Sequence, residues 1–195
     1  MKIKVIFLVS LIALATVHAH GQGTVIYDQQ SSTESNVLEG GSYIQSNQPF
    51  GQSFTPSLNA VAFIRLDLFS DSVAGGALVD ILLHANSISG PVIGTSETVS
   101  LPNNSGGFIN FYFATPVSVI PGTTYYFQPV VQPGGNDVGA FSSSAYNYPG
   151  GVEISQGASF PNFDLWFREG IVVPEPSTWA LLLIGVGAFL WYRRR

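Results

Sequence analysis

The stretch Ala60-Val61-Ala62-Phe63-Ile64-Arg65-Leu66-Asp67-Leu68-Phe69 decides the fold class. Ala62, Ile64, Leu66 and Leu68 fall at every second position, with Arg65 and Asp67 between them. A period of two puts the apolar set on one face of a β-strand and the charged pair on the other. The same rhythm returns at 78–84, where Val79, Ile81 and Leu83 oppose Asp80 and His84. Gly75-Gly76 and Ser89-Gly90-Pro91 bracket it as turns.

Outward from this pair, residues 24–27 and Phe50-Gly51-Gln52-Ser53-Phe54 read as earlier strands. Residues 92–97, 99–101, 108–113, 117–120, 124–131, 139–143, 151–155 and 165–168 continue the series. Gly, Ser, Asn and Pro separate these runs, and no stretch carries the 3.6-residue period of an amphipathic helix. Roughly ten short strands with such turns predict an all-β body, a β-sandwich whose even spacing suits a jelly roll. Residues 108–113 are apolar on both faces apart from Asn110, which predicts a central place in a sheet. Pro121-Gly122 marks a tight turn.

The two ends differ from this body. Lys2 and Lys4 precede an apolar run at 5–17 and then Val17-His18-Ala19, the pattern of a secretory signal peptide over 1–19, with a mature chain starting near His20. At the other end Val173-Pro174-Glu175-Pro176-Ser177 leads into residues 178–192, which carry no charge, and then into Arg193, Arg194 and Arg195. Prolines on both sides of Glu175 predict an extended, accessible peptide. As a helix the uncharged run is about 22 Å long. That is shorter than the roughly 20 residues of a full membrane span. Trp179 and Trp191 sit near its two ends as interfacial anchors, and the arginines reach the head groups on the cytoplasmic side, which puts the body outside. Three segments follow: a signal peptide at 1–19, a β-sandwich domain at 20–172 and a membrane-anchoring tail at 173–195.

Five of the seven basic residues belong to these ends, leaving Arg65 and Arg168 in the body against eleven of the twelve carboxylates, with Glu175 in the tail, a net charge of −9. So acidic a body repels phosphate backbones and excludes nucleic acid as a partner. The absence of cysteine excludes disulfide staples and thiolate chemistry.

Pro174-Glu175-Pro176, the short hydrophobic helix and the basic cluster at 193–195 together closely resemble the PEP-CTERM sorting signal. The resemblance covers the tail alone. It implies recognition by an exosortase, an integral-membrane cysteine protease of transpeptidase type, and cleavage near 174–176. It also implies a Gram-negative host, transient anchoring in the inner membrane, and delivery to the cell surface or the extracellular matrix, often beside exopolysaccharide. In the body, Phe50-Gly51-Gln52-Ser53-Phe54-Thr55-Pro56 and Pro121-Gly122-Thr123-Thr124-Tyr125-Tyr126-Phe127 look like strand segments of the β-sandwiches found ahead of such tails. That likeness bears on fold and not on activity.

Catalytic residues are hard to nominate. His84 is the one histidine away from the start of the mature chain, and it reads as solvated or hydrogen-bonded. Asp71, Asp80, Asp137 and Glu153 offer carboxylates for calcium, with Asn136-Asp137 the first place to look, but none has a calcium-loop spacing, so no metal and no cofactor is expected. Asn103-Asn104-Ser105 reads as a plain turn. Aromatic residues crowd the last third of the body: Tyr146, Tyr148, Phe160, Phe163 and Trp166. Tyr146, Tyr148 and Trp166 are the candidates for stacking on a sugar ring. The competing reading closes the core with them, since Trp166 stands between Leu165 and Phe167. The expectation is a non-enzymatic, surface-sorted protein with weak glycan binding. The alternative is a secreted carbohydrate-active hydrolase, which requires two carboxylates converging across a cleft.

Overall fold

The computed structural model describes residues 23–35, 40–71, 75–173 and 189–193. Fourteen strands occur among them. The first seven are β1 (Thr24–Gln30), β2 (Gly41–Tyr43), β3 (Gly51–Phe54), β4 (Ala60–Ser70), β5 (Ala77–Ala85), β6 (Val92–Thr95) and β7 (Val99–Leu101). The rest are β8 (Gly106–Ser118), β9 (Tyr125–Val131), β10 (Val138–Ser143), β11 (Glu153–Ser155), β12 (Ala158–Phe160), β13 (Asp164–Leu165) and β14 (Phe167–Val173). Val25–Val172 form one compact unit.

The strands make two antiparallel seven-stranded sheets. In the first, β4 pairs β8 along one edge and β14 and β10 along the other, with β1 outside β14 and β2 and β13 against β10. The second runs β12-β11-β3-β9-β5-β6, with β7 also on β5. Ile64, Leu66, Leu68, Phe111 and Phe167 of the first sheet and Phe54, Val79, Ile81, Leu83 and Phe127 of the second are fully buried in one cluster, so the sheets close on each other as a sandwich. The alternation in β4 and β5 is what builds this core. The register of β4 on β8 shifts between Val61 and Phe63, which brings Val61 into the core cluster.

Gly51 shows why the Phe-Gly-Gln-Ser-Phe strand carries a glycine. A Cβ there would stand 2.0 Å from the Phe127 carbonyl oxygen of the neighbouring strand, and backbone cannot move aside.

β8 departs from its expected place. It pairs with β4 alone and lies at the sheet edge. Residues 108–113 and 117–120, read as separate strands, are largely joined in it, with Pro116 in the irregular stretch where an edge strand tolerates a missing donor. Its outward apolar residues are explained by a second layer of rings on the outside of the first sheet. Tyr112 packs on Phe63 and Phe63 on Tyr27, while Phe108 meets Trp166 at 4.3 Å between centroids. Arg65 lies over Phe108, and Arg168 lies over Tyr27 and Trp166. Glu34 bridges the two arginines at 2.9 and 3.7 Å. Burial under this layer pushes Asp67 up to about 6, against the pull of Arg65.

Candidate functional site

Where β2 and β10 of the first sheet approach β11 and β12 of the second, a cleft of about 550 Å³ opens at the edge of the sandwich. Ser42 and Ser142 line it from one sheet, Glu153, Ser155 and Phe160 from the other, and Phe163 lines it as well.

A two-residue turn makes the β11–β12 hairpin, with Gln156 at φ 52° and Gly157 at φ 77°. Positive φ at both central residues is the type I′ geometry that matches strand twist. The hairpin is tied down on the chain before β3: Gln156 N–H donates to the Asn47 carbonyl (2.7 Å), and Gly157 N–H donates to that of Pro49 (2.9 Å).

Glu153 stands opposite Gln52 across the β11–β3 pair, so the two side chains share a face. Gln52 Nε2 donates to Asp164 Oδ1 (2.8 Å), Leu165 N–H donates to Gln52 Oε1 (3.0 Å), and Tyr148 N–H donates to Asp164 Oδ2 (3.0 Å). Burial raises Asp164, and these N–H donors hold it back. Burial also raises Glu153, the Ser142 hydroxyl lowers it, and the charge of Asp164 raises it further. Glu153 is 3% exposed, and its buried Oε2 has no hydrogen-bond partner.

Phe160 is 50% exposed and is held edge-on against Phe163, with ring centroids 5.3 Å apart. A half-exposed ring, hydroxyls and a carboxyl side chain around one concavity suit a small polyhydroxylated ligand. Of the residues read from the sequence, the fold brings Glu153, Phe160 and Phe163 together here.

The stacking candidates correct the sequence reading. Tyr146, Tyr148 and Trp166 are 2%, 6% and 0% exposed, with no face open to a ligand. Tyr148 packs at 5.1 Å on Phe167, its hydroxyl accepts from Thr55 N–H (2.9 Å) and donates to Gln29 Oε1 (3.3 Å), and burial pushes that hydroxyl up to about 12. Trp166 donates from Nε1 to the Thr33 carbonyl (3.3 Å).

Asp71 and Asp137 meet in one loop cluster, where Asp71 N–H donates to the Asp137 carbonyl (3.1 Å) and Tyr43 donates to Asp71 Oδ1 (3.2 Å). Asp80 instead accepts from Gln132 on the second sheet (2.9 Å). Among the described residues no three potential ligands gather to hold a metal ion. The His84 ring pairs through Nδ1 with the Gly90 carbonyl (2.9 Å). Asn104 takes φ 47° and Ser105 donates to the Pro102 carbonyl (2.6 Å), so this segment is a turn.

A carboxyl pair escaped the sequence reading. Asp28 accepts from Ser57 N–H (2.7 Å), Leu58 N–H (2.9 Å) and the Ser57 hydroxyl, and these outweigh its burial to hold it low. Burial first, and then the charge of Asp28, push Glu169 up to about 9. Glu169 lies one position beyond the expected strand 165–168, and the alternation there gave no sign of it.

The opposite edge of the sandwich holds an apolar cleft of about 630 Å³, lined by Ile93, Phe113, Pro116, Val117 and Ile120 among others. Pro174, Glu175, Pro176, Trp179, Arg194, Arg195 and residues 1–19, where a signal peptide is expected, lie outside the described residues. Residues 189–192 form a helical turn in which Trp191 is exposed, and Arg193 N–H donates to the Phe189 carbonyl (3.1 Å). Among the described residues no helix is long and apolar enough to cross a membrane.

Fold and cleft together define a β-sandwich protein with a polar, ring-bearing concavity at one sheet edge. Residues 172–195 match the PEP-CTERM protein-sorting motif. The motif implies export, exosortase processing and transient membrane association in a Gram-negative bacterium. None of the curated proteins matches the chain.

Proposed function

We propose that this chain is an exported, exosortase-sorted protein that acts at the cell surface or in the extracellular matrix as a non-enzymatic component with weak glycan binding. The observation that carries the reading is the sorting motif at 172–195. The signal peptide at 1–19 opens the route, the tail holds the body briefly at the inner membrane, and cleavage near 174–176 releases it.

We read the body as a jelly roll. With β2, β7, β10, β11, β12 and β13 set aside, the sheets run β1-β14-β4-β8 and β3-β9-β5-β6. The first and last strands of the body are therefore neighbours, the order that two nested Greek keys produce. Binding rather than hydrolysis is supported by the state of the acids: Asp164 has both oxygens occupied by Gln52 and Tyr148, which leaves Glu153 as the one acidic wall of the cleft among the described residues. Glycoside hydrolysis requires two carboxyl groups flanking the bond.

Mass spectrometry of the protein recovered from its native host tests the sorting. Termini near His20 and near 174–176 are expected; recovery with 193–195 intact, from the inner membrane alone, overturns it. Co-sedimentation with the host's own exopolysaccharide tests the glycan reading, and absence of retention overturns that part.

A further inference from the structure

We propose that the cleft between β10 and the β11–β12 hairpin is a sugar subsite that takes a neutral or amino hexose and rejects uronates. The inference rests on the glycan-binding reading above and names its site and ligand class.

Three independent features meet in the cleft. Its volume of about 550 Å³ lies within the range of small-ligand sites. Phe160 keeps half its surface open while its ring packs on Phe163, which offers an apolar surface to the C–H face of a pyranose. Glu153, a wall of the same cleft, is 3% exposed with Oε2 unpartnered. A buried polar atom left without a partner is costly. Oε2 itself is closed to solvent; a turn of the carboxyl toward the cleft lets a sugar hydroxyl or ammonium donate to it and removes that cost. Ser42, Ser142 and Ser155 add hydroxyls around the ring and the acid.

Charge then selects among sugars. The cleft contains Glu153 with Asp164 behind it, and among the described residues no cation lines it. Arg65 and Arg168 sit with Glu34 on the outer face of the first sheet. A carboxylate-bearing sugar entering the cleft meets like charge with nothing to offset it, whereas an amino sugar meets an acceptor.

Titration of the full chain, solubilised in a detergent with no sugar head group, tests this with three probes. The probes are the tetramers of N-acetylglucosamine, glucosamine and mannuronate. Binding of the first two and none of the third is expected. Phe160→Ala should weaken both by about tenfold, with the unfolding midpoint lowered by no more than a few degrees. Glu153→Gln should weaken the glucosamine tetramer more than the N-acetylated one. Equal affinity after Phe160→Ala, or mannuronate bound as tightly as the others, overturns the subsite. Retention on host exopolysaccharide without binding of any tetramer also overturns the subsite but leaves the glycan reading standing. Failure of both assays overturns the two together.

Discussion

Removing the Trp166 ring would empty a site enclosed by Phe108, the guanidinium of Arg168 and the loop that carries Thr33. Trp166→Ala is expected to cost about 3–5 kcal/mol, whereas Phe160→Ala, which removes a half-exposed ring, should cost under about 1 kcal/mol. Denaturant unfolding of both variants measures the contrast. Glu169 gives a second prediction. In the fold it keeps its proton up to about 9, while its ordinary value is 4.5, so between those limits the native state binds the extra proton. Its contribution to stability is full below the lower value and is lost as pH rises through the higher one. Asp67 acts in the same sense between 3.8 and about 6. The unfolding midpoint should therefore be higher near about pH 5 than near about pH 8. Glu169→Gln should flatten the upper part of that slope, and a midpoint rising with pH over this range would refute the account.

At the scale of elements, Gln52 fastens β13 and the segment around Tyr148 to β3. Gln52→Leu preserves bulk but leaves Asp164 Oδ1 and the Leu165 N–H without their partner. A loss of roughly 3 kcal/mol is expected, since one side of a buried polar network is left unpaired. Hydrogen exchange at the amides of Tyr148 and Leu165 should accelerate, while amides of β5 stay protected. β4 and β5 were legible because alternation of two is imposed directly by burial of one face. β2 and β12 were not, because three residues carry no period and their pairing is supplied by β10 and β11. The turn Gln156-Gly157 was the available signal for β12, since glycine there meets the demand for positive φ. β8 was misplaced because a run apolar on both faces looks alike whether its outer side meets another sheet or a layer of rings.

For the whole molecule, sorting and the proposed binding are separable. Glu175→Ala, or removal of 193–195, should leave uncleaved precursor in the inner membrane without changing the unfolding midpoint of the sandwich. Immunoblots of membrane and medium fractions read this out, and normal processing would count against the tail as the address. The sequence by itself determined the all-β class, the acidic body and the sorting tail, because each depends on local order: period, composition, and a motif read in line. Tertiary structure alone decided which aromatics are available. Tyr146, Tyr148 and Trp166 turn inward while Phe160 stays open beside Glu153. The cleft joins residues from Ser42 to Phe163 across two sheets. No local pattern encodes that meeting, since exposure of a ring depends on which distant strand covers it.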